Sequence, residues 1–569
     1  MLLVLLSLSL QVFAAPADVA RSVQGPTVVI NSPEATLIGL PPSFLAPNTE
    51  EFLGVPYALP PTGDRRLKPP EPITEPMGTV SAQENGNVCP QFVFSNNLEG
   101  SLPTAVIELL AETPLVQNIT SQSEDCLVMS INRPTGTKEG DNLPVLFWIY
   151  GGGFELGWNS MYPGSIWVEE SVKQGQPIIV VTVNYRVGGY GFLGGKELTA
   201  EGSTNLGLLD QRLCLQWVAD NIAKFGGDPE KVTIWGESAG SISVFYHMLA
   251  YDGNNLYKGK PLFRGGIMNS GTAVPSDWMN SSKPQAVYDR VVEVGGCSNA
   301  EDTVACLRGL PYDSFNHAVN SVPGILSYSS IALSYLPRPD GMFLTASPDV
   351  LGYEGKIAKV PFIVGDMEDE GTLFALFESN ITTKEEIVDY LHELVFANPS
   401  RDVLAELVDI YNDSDEYASP FRTGSANNWY PQFKRLAAIL GDLVFTITRR
   451  GMLKFVADLQ TGIPFWSYLN SYYYGTPILG SGHGLDIISV FYGLAPGYAT
   501  TAWRQYYINF VNNLDPNKGV TANGLAFWPQ WTENQTIIQM HPNGSQYITD
   551  DFRQPVLDFL LKNVTQFYF

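Results

Sequence analysis

Basic charge is what this chain has little of. Of 569 residues, 33 are Lys or Arg against 58 Asp or Glu, a formal charge of −25 at pH 7. Binding a phosphate backbone needs a basic face, so a nucleic-acid partner is excluded, and so is a polybasic membrane anchor. Charged residues are only 16% of the chain and hydrophobic ones 44%. That excludes a self-repelling disordered chain and leaves ample apolar surface for a core. No apolar run reaches the roughly 18 residues that read as a transmembrane anchor. The C-terminal VLDFLLKNVTQFYF is too polar for a lipid-anchor signal. Repeats, low-complexity tracts and Pro/Ser-rich linkers are missing from 15–569, which is expected to be a single domain. HExxH and clustered Cys/His sets are missing too, so neither a metal nor an organic cofactor is expected.

What is there begins with MLLVLLSLSLQVFAAPA. The run from Leu2 to Leu10 is too short to span a bilayer and is followed by the small residues Ala14, Ala15 and Ala17. This is a signal-peptide pattern over about residues 1–14, and it predicts secretion. Secretion makes the five cysteines readable as disulfides with one left over. Cys297 and Cys306 are close in sequence and are paired. Cys89 and Cys126 then close a larger loop, a constraint worth about 4 kcal/mol in the chain-entropy description. Cys214 lies in the helix-periodic LLDQRLCLQWVADNI and is expected to be a buried thiol. Seven Asn-X-Ser/Thr triplets, at Asn118, Asn280, Asn380, Asn412, Asn534, Asn543 and Asn563, are glycosylation candidates.

Between them the chain alternates strand and helix. NLPVLFWIY, PIIVVTVNYRV, KVTIWG and KVPFIVG read as short buried strands. NLGLLDQRLCLQWVADNIAKFGG reads as a helix stopped by a Gly pair, and 239–249 as another. The expectation is an α/β fold with a large, mostly parallel sheet and helices on both faces.

Gly236-Glu237-Ser238-Ala239-Gly240 matches G-x-S-x-G directly after the strand VTIW. In that context a Ser is held on a sharp strand-to-helix turn with its hydroxyl projecting above the sheet. It needs a base, and histidine is the usual one. The chain has only five. His247 is too close in sequence to fold back, His317 and His392 lie in helical segments, and His541 reads as a surface loop residue. His483, in the flexible loop Gly480-Ser481-Gly482-His483-Gly484, is the expected base. An acid should lie between Ser238 and His483 in the chain. One cluster directly follows a strand: Asp366, Glu368, Asp369 and Glu370. Composition does not choose among these four. A third strand ends in Gly151-Gly152-Gly153-Phe154, where backbone N–H groups could approach a substrate oxygen; Gly152, Gly153 and Ala239 are the expected oxyanion donors. No phosphate-loop pattern occupies that loop.

Together these segments resemble the type-B carboxylesterase/lipase family of α/β-hydrolases, and within it the secreted fungal lipases and sterol esterases. The resemblance runs from FLGVPYALPPTGDRRLKPP through SEDCLVMSINRP, GGGFELG, NYRVGGYGFLG, GLLDQRLCLQWVADNIAKFGGDPEKVTIWGESAGS, GIMNSGTAVPSD and GDMEDEGTLF to GHGLDI. It implies Ser238 as nucleophile, Glu370, from D-E-G-T, as acid, and His483 as base. It also implies the two disulfides already paired and a lid on the 89–126 loop. LPTAVIELLAET supports a short amphipathic helix there, with Val106, Leu109 and Leu110 on one side and Thr104, Glu108 and Glu112 on the other. Gly484 departs from the resembling lipases, which carry Ser after the His. The implied substrate is a small-molecule or aggregated lipid ester, met at a lipid–water interface. A feruloyl-type aryl esterase and a non-catalytic binding protein on the same fold remain as alternatives.

Overall fold

The computed structural model describes residues 25–92, 121–494 and 496–569. The leader, the amphipathic helix at 102–113 and the sequon at Asn118 lie outside the described residues. Fifteen strands occur among them: β1 Thr27–Asn31, β2 Glu34–Ile38, β3 Thr49–Pro56, β4 Gly78–Ser81, β5 Val128–Pro134, β6 Leu143–Ile149, β7 Ile179–Val183, β8 Gly227–Glu237, β9 Leu256–Tyr257, β10 Lys260–Pro261, β11 Gly265–Asn269, β12 Phe362–Met367, β13 Phe465–Asn470, β14 Thr536–His541 and β15 Gly544–Thr549.

Ten of these form one sheet in the order β15-β14-β13-β12-β11-β8-β6-β7-β5-β3. The run from β14 to β7 is parallel throughout, and only the edges, β15 and the pair β5–β3, are antiparallel. The four strands read from sequence are β6, β7, β8 and β12. Their apolar runs are continuous rather than alternating because both sheet faces are covered: every residue of β7, β11 and β12 is buried. Covering helices sit on opposite faces. Trp235 of β8 packs on Trp167 and Tyr507, the latter in the helix Tyr498–Asn513. Its neighbour Gly236 points the other way, onto Gly240 of the helix Ala239–Gly253.

The helix Leu206–Asn221 forms as its periodicity predicts and closes through a 3-10 turn at Ile222–Phe225 onto Gly226, whose φ is +87°. The helix after the elbow leaves helical geometry at Ala250, so its regular part ends at Leu249, as expected. Both predicted disulfides are formed, Cys89–Cys126 and Cys297–Cys306, and Cys214 is a buried free thiol. Five of the sequon asparagines are exposed, and Asn563 is half-buried with its amide donating to Phe559 O at 2.9 Å. Among the described residues no helix is long and apolar enough to cross a membrane.

One buried ion cluster ties three distant segments together beneath the strand ends. Arg449 is fully buried; its Nε donates to Asp366 Oδ2 at 2.6 Å and its two Nη atoms to Asp550 at 2.7 and 2.8 Å. Nη1 also donates to Ser467 Oγ at 2.8 Å, linking β12, β13 and the chain after β15. Removing the guanidinium would strand two carboxylates away from water. Arg449→Met is expected to lower unfolding free energy by about 3–5 kcal/mol. Urea denaturation followed by fluorescence checks this, and a loss under about 1 kcal/mol would show the cluster to be dispensable.

Candidate active site

Four loops leave the carboxyl ends of parallel strands and converge. This is where an open α/β sheet offers a crevice, because the covering helices start or end there. The loop after β8 carries Ser238. Its backbone sits at φ +56°, ψ −124°, a conformation that strains a non-glycine residue. The two flanking glycines are needed on both sides of the turn. A Cβ on Gly236 would overlap the backbone of Gly240, and one on Gly240 would overlap the Ile149 carbonyl of β6. Any larger residue at either place would push strand and helix apart and flatten the turn. The Ser238 N–H donates to Asn269 O at 2.9 Å, pinning the turn to β11.

The other strand ends bring the partners. His483 Nε2 lies 2.8 Å from Ser238 Oγ, and His483 Nδ1 lies 2.5 Å from Glu370 Oε2. Glu370 is buried, and its Oε1 accepts the N–H of Met367 at 2.7 Å. Three residues separated by more than a hundred positions therefore form one hydrogen-bonded line. The Gly151–Gly153 loop lies beside it: a Cβ on Gly151 would stand 2.8 Å from Ser238 Cβ. Gly152 and Gly153 have φ of +112° and +63°, and Ala239 opens the helix behind the serine. All six residues named for the site from sequence thus fall in one place.

The four competing carboxylates are separated by their partners. Asp366 is taken by Arg449, as above. Glu368 pairs with Arg422, whose Nε donates at 3.0 Å. Asp369 accepts from Ser419 Oγ at 2.9 Å, Phe421 N at 2.8 Å and Ser481 N at 2.9 Å. Only Glu370 reaches an imidazole.

The Asp369 contacts correct one expectation. The His483 loop is not free. Ser481 and Asp369 exchange two bonds, Asp369 N–H also donating to Ser481 O at 3.0 Å, and Thr372 Oγ1 donates to Leu479 O at 2.8 Å. The loop's glycines allow its shape, and buried hydrogen bonds then fix it. The ring of His483 is further held between Phe374 and Phe445, with centroids 5.1 and 4.6 Å away. Gly484 has φ +74°, so a side chain there would be strained, and His483 is positioned without a hydroxyl at 484.

The remaining histidines are elsewhere. His247 is buried against Gln211, its Nε2 3.0 Å from Oε1, and burial pushes its pKa down to about 3. His392 Nδ1 faces Pro399 O at 3.2 Å, His317 is an exposed helical residue, and His541 is the last residue of β14 rather than a loop residue.

Two buried carboxyls beside the site were missed by sequence reasoning. Glu237 occupies a variable position of G-x-S-x-G, and its Oε1 lies 3.4 Å from His483 Nε2. Burial pushes its carboxyl up to about 8, against the pull of His483. Near neutral pH it is therefore a neutral acid, and Glu370 is the carboxylate that faces the ring. For His483, burial disfavours the charged ring, but Glu370 outweighs it and raises the pKa above 6.5, with Glu237 adding to this only where it is ionised. The second is Glu155, after the glycine loop. A charged residue inside an otherwise apolar GGGF-x-L-G stretch was the only available signal for it.

A family model described as the carboxylesterase family matches residues 29–559. The chain belongs to the carboxylesterase family. It is a carboxylic ester hydrolase with the mostly parallel sheet of an α/β-hydrolase. Among curated relatives it is 55% identical to secreted lipase 1 of Botryotinia fuckeliana, over 95% of this chain and 94% of that one. It is 51% identical to the secreted triacylglycerol lipase LIP1 of Gibberella zeae, over 96% and 92%. Lipase 4 of Diutina rugosa is 44% identical over 91% and 93%. Among solved structures, EstA of Aspergillus niger superposes with a TM-score of 0.78 at 26% identity, covering 96% of this chain and 99% of that one.

Proposed function

We propose that this carboxylesterase-family chain is a secreted serine hydrolase of lipid esters, including triacylglycerols, sterol esters and other long-chain acyl esters. The observation that carries the reading is the unbroken line Glu370–His483–Ser238 beside the glycine loop. Ser238 Oγ attacks the ester carbonyl while His483 Nε2 takes its proton. Glu370 accepts from Nδ1–H, which fixes the tautomer and stabilises the imidazolium. The oxyanion is received by the N–H groups of Gly152, Gly153 and Ala239, the last at a helix N-terminus where the dipole favours negative charge. His483 then returns the proton to the leaving alcohol, and an acyl-enzyme remains on Ser238. Water deprotonated by His483 attacks it and releases the acid.

An apolar acyl group is supported by the relatives above, which bear the names of secreted lipases. A hydrocarbon tail removed from water gains about 0.8 kcal/mol per buried methylene. Esters of one alcohol with acyl chains from acetyl to palmitoyl should therefore show kcat/KM rising by at least tenfold from short to long. A flat series, or a feruloyl ester hydrolysed faster than the long-chain ones, would move the reading to a broad or aryl esterase.

A further inference from the structure

The glycine loop poses a problem that its own sequence does not solve. Three successive glycines permit the backbone to approach a substrate, but they also leave it free to turn away. Donors for a developing oxyanion must be held in place before the reaction, so something outside the glycines has to fix them. Glu155 stands two residues after Gly153 and is fully buried. Its N–H donates to Gly152 O at 3.0 Å, and its own carbonyl accepts the N–H of Phe92 at 3.0 Å. Its Oε2 accepts the N–H of Ile325 at 2.7 Å, across 170 residues of sequence. Its other carboxyl oxygen has no partner among the described residues. The residues around Ile325 form no helix or strand, so this carboxyl is the tie that the structure provides for the Ile325 amide. The Ile325 side chain in turn closes on Gly153: a Cβ there would overlap Ile325 Cδ1.

We propose that Glu155 is a positioning residue for the oxyanion hole, holding Ile325 against Gly153 so that the Gly152 and Gly153 N–H groups keep the direction that the transition state requires. This rests on the reading of those glycines as oxyanion donors. A buried carboxyl is a costly way to hold one amide, and an apolar side chain would fill the space more cheaply. Its use here follows from the need for an acceptor at that point. Burial pushes the Glu155 carboxyl up to about 8, with the Ile325 N–H pulling it down. At neutral pH the group is therefore uncharged, and Gln has the same shape and the same acceptor.

The test compares Glu155→Leu and Glu155→Gln in the full chain, measuring kcat, KM and the affinity for a trifluoromethyl ketone that forms a tetrahedral adduct on serine. For Glu155→Leu, kcat is expected to fall about 10- to 100-fold with KM within threefold. The ketone should lose affinity by a similar factor. Glu155→Gln should recover most of the kcat. Ile325→Ala, which leaves the carboxyl in place, should show a smaller loss of the same kind, and it answers the question if the Leu variant does not fold. An unchanged kcat in Glu155→Leu and Ile325→Ala would overturn the proposal, as would a rise in KM alone or a Gln variant as slow as the Leu one. Failure of the underlying reading looks different: the unmodified protein would then bind the ketone no more tightly than substrate.

Discussion

Ser238→Ala is expected to cut kcat/KM for any ester substrate by about four to six orders of magnitude while leaving thermal unfolding within a few degrees. The hydroxyl makes one contact that matters, the 2.8 Å approach to His483 Nε2. The shape of the elbow depends instead on Gly236, Gly240 and the Ser238 N–H bond to Asn269, all of which survive the change. A small residual rate should persist, because donors that receive an oxyanion from Ser238 can also receive one from attacking water. Steady-state assays on one soluble and one long-chain ester check this. A loss under tenfold would remove Ser238 as nucleophile and with it the whole proposed line.

Glu370→Gln should be nearly as damaging, about three to four orders of magnitude in kcat, for a reason specific to this site. Glu370 Oε1 is committed to the Met367 N–H at 2.7 Å. In the Gln variant the amide oxygen takes that bond, and the NH₂ group turns toward His483 Nδ1. Nδ1 must then be an acceptor, so the ring proton sits on Nε2, facing the Ser238 hydroxyl whose proton it should remove. The pH profile adds a second readout. Glu370 raises the His483 pKa, so its loss lowers it. Activity that needs the neutral ring appears as pH climbs through that pKa, so the acid limb should move to lower pH. A rate retained within tenfold, or an acid limb moving upward, would mean that another group orients His483, and Glu237 would be the next to test.

The same pH argument bears on Glu237. Protonated near neutral pH, it adds no charge to the ring in the working range. As pH rises past about 8 it ionises 3.4 Å from Nε2 and favours the imidazolium. Two carboxyls thus face one histidine with different duties, separated by burial and hydrogen bonding: Glu370 accepts a backbone N–H and the ring N–H, whereas Glu237 Oε1 has no hydrogen-bond partner among the described residues.

How much of this could be read beforehand follows a physical divide. The elbow and the glycine loop were legible because a tight turn or close approach demands glycine at the position itself: a Cβ on Gly236 would meet Gly240 within five residues of chain, and one on Gly240 would meet the Ile149 carbonyl of the neighbouring strand. The parallel sheet was legible because strands covered on both faces must be apolar along their whole length. His483 was found by excluding four others, a route open only because histidines are so few. The acid was not legible from the residues themselves. Asp366, Glu368, Asp369 and Glu370 are alike in sequence, and what separates them is who arrives: Arg449 from 83 residues away, Arg422 from 54, Ser419 from 50 and His483 from 113. The resemblance to a family supplied Glu370, and the folded chain shows why it alone was available. The tied His483 loop and the buried Glu155 and Glu237 belong to that second kind as well. Backbone sterics are written at the position where they act, whereas the role of a buried charge is set by partners that only the tertiary structure brings together.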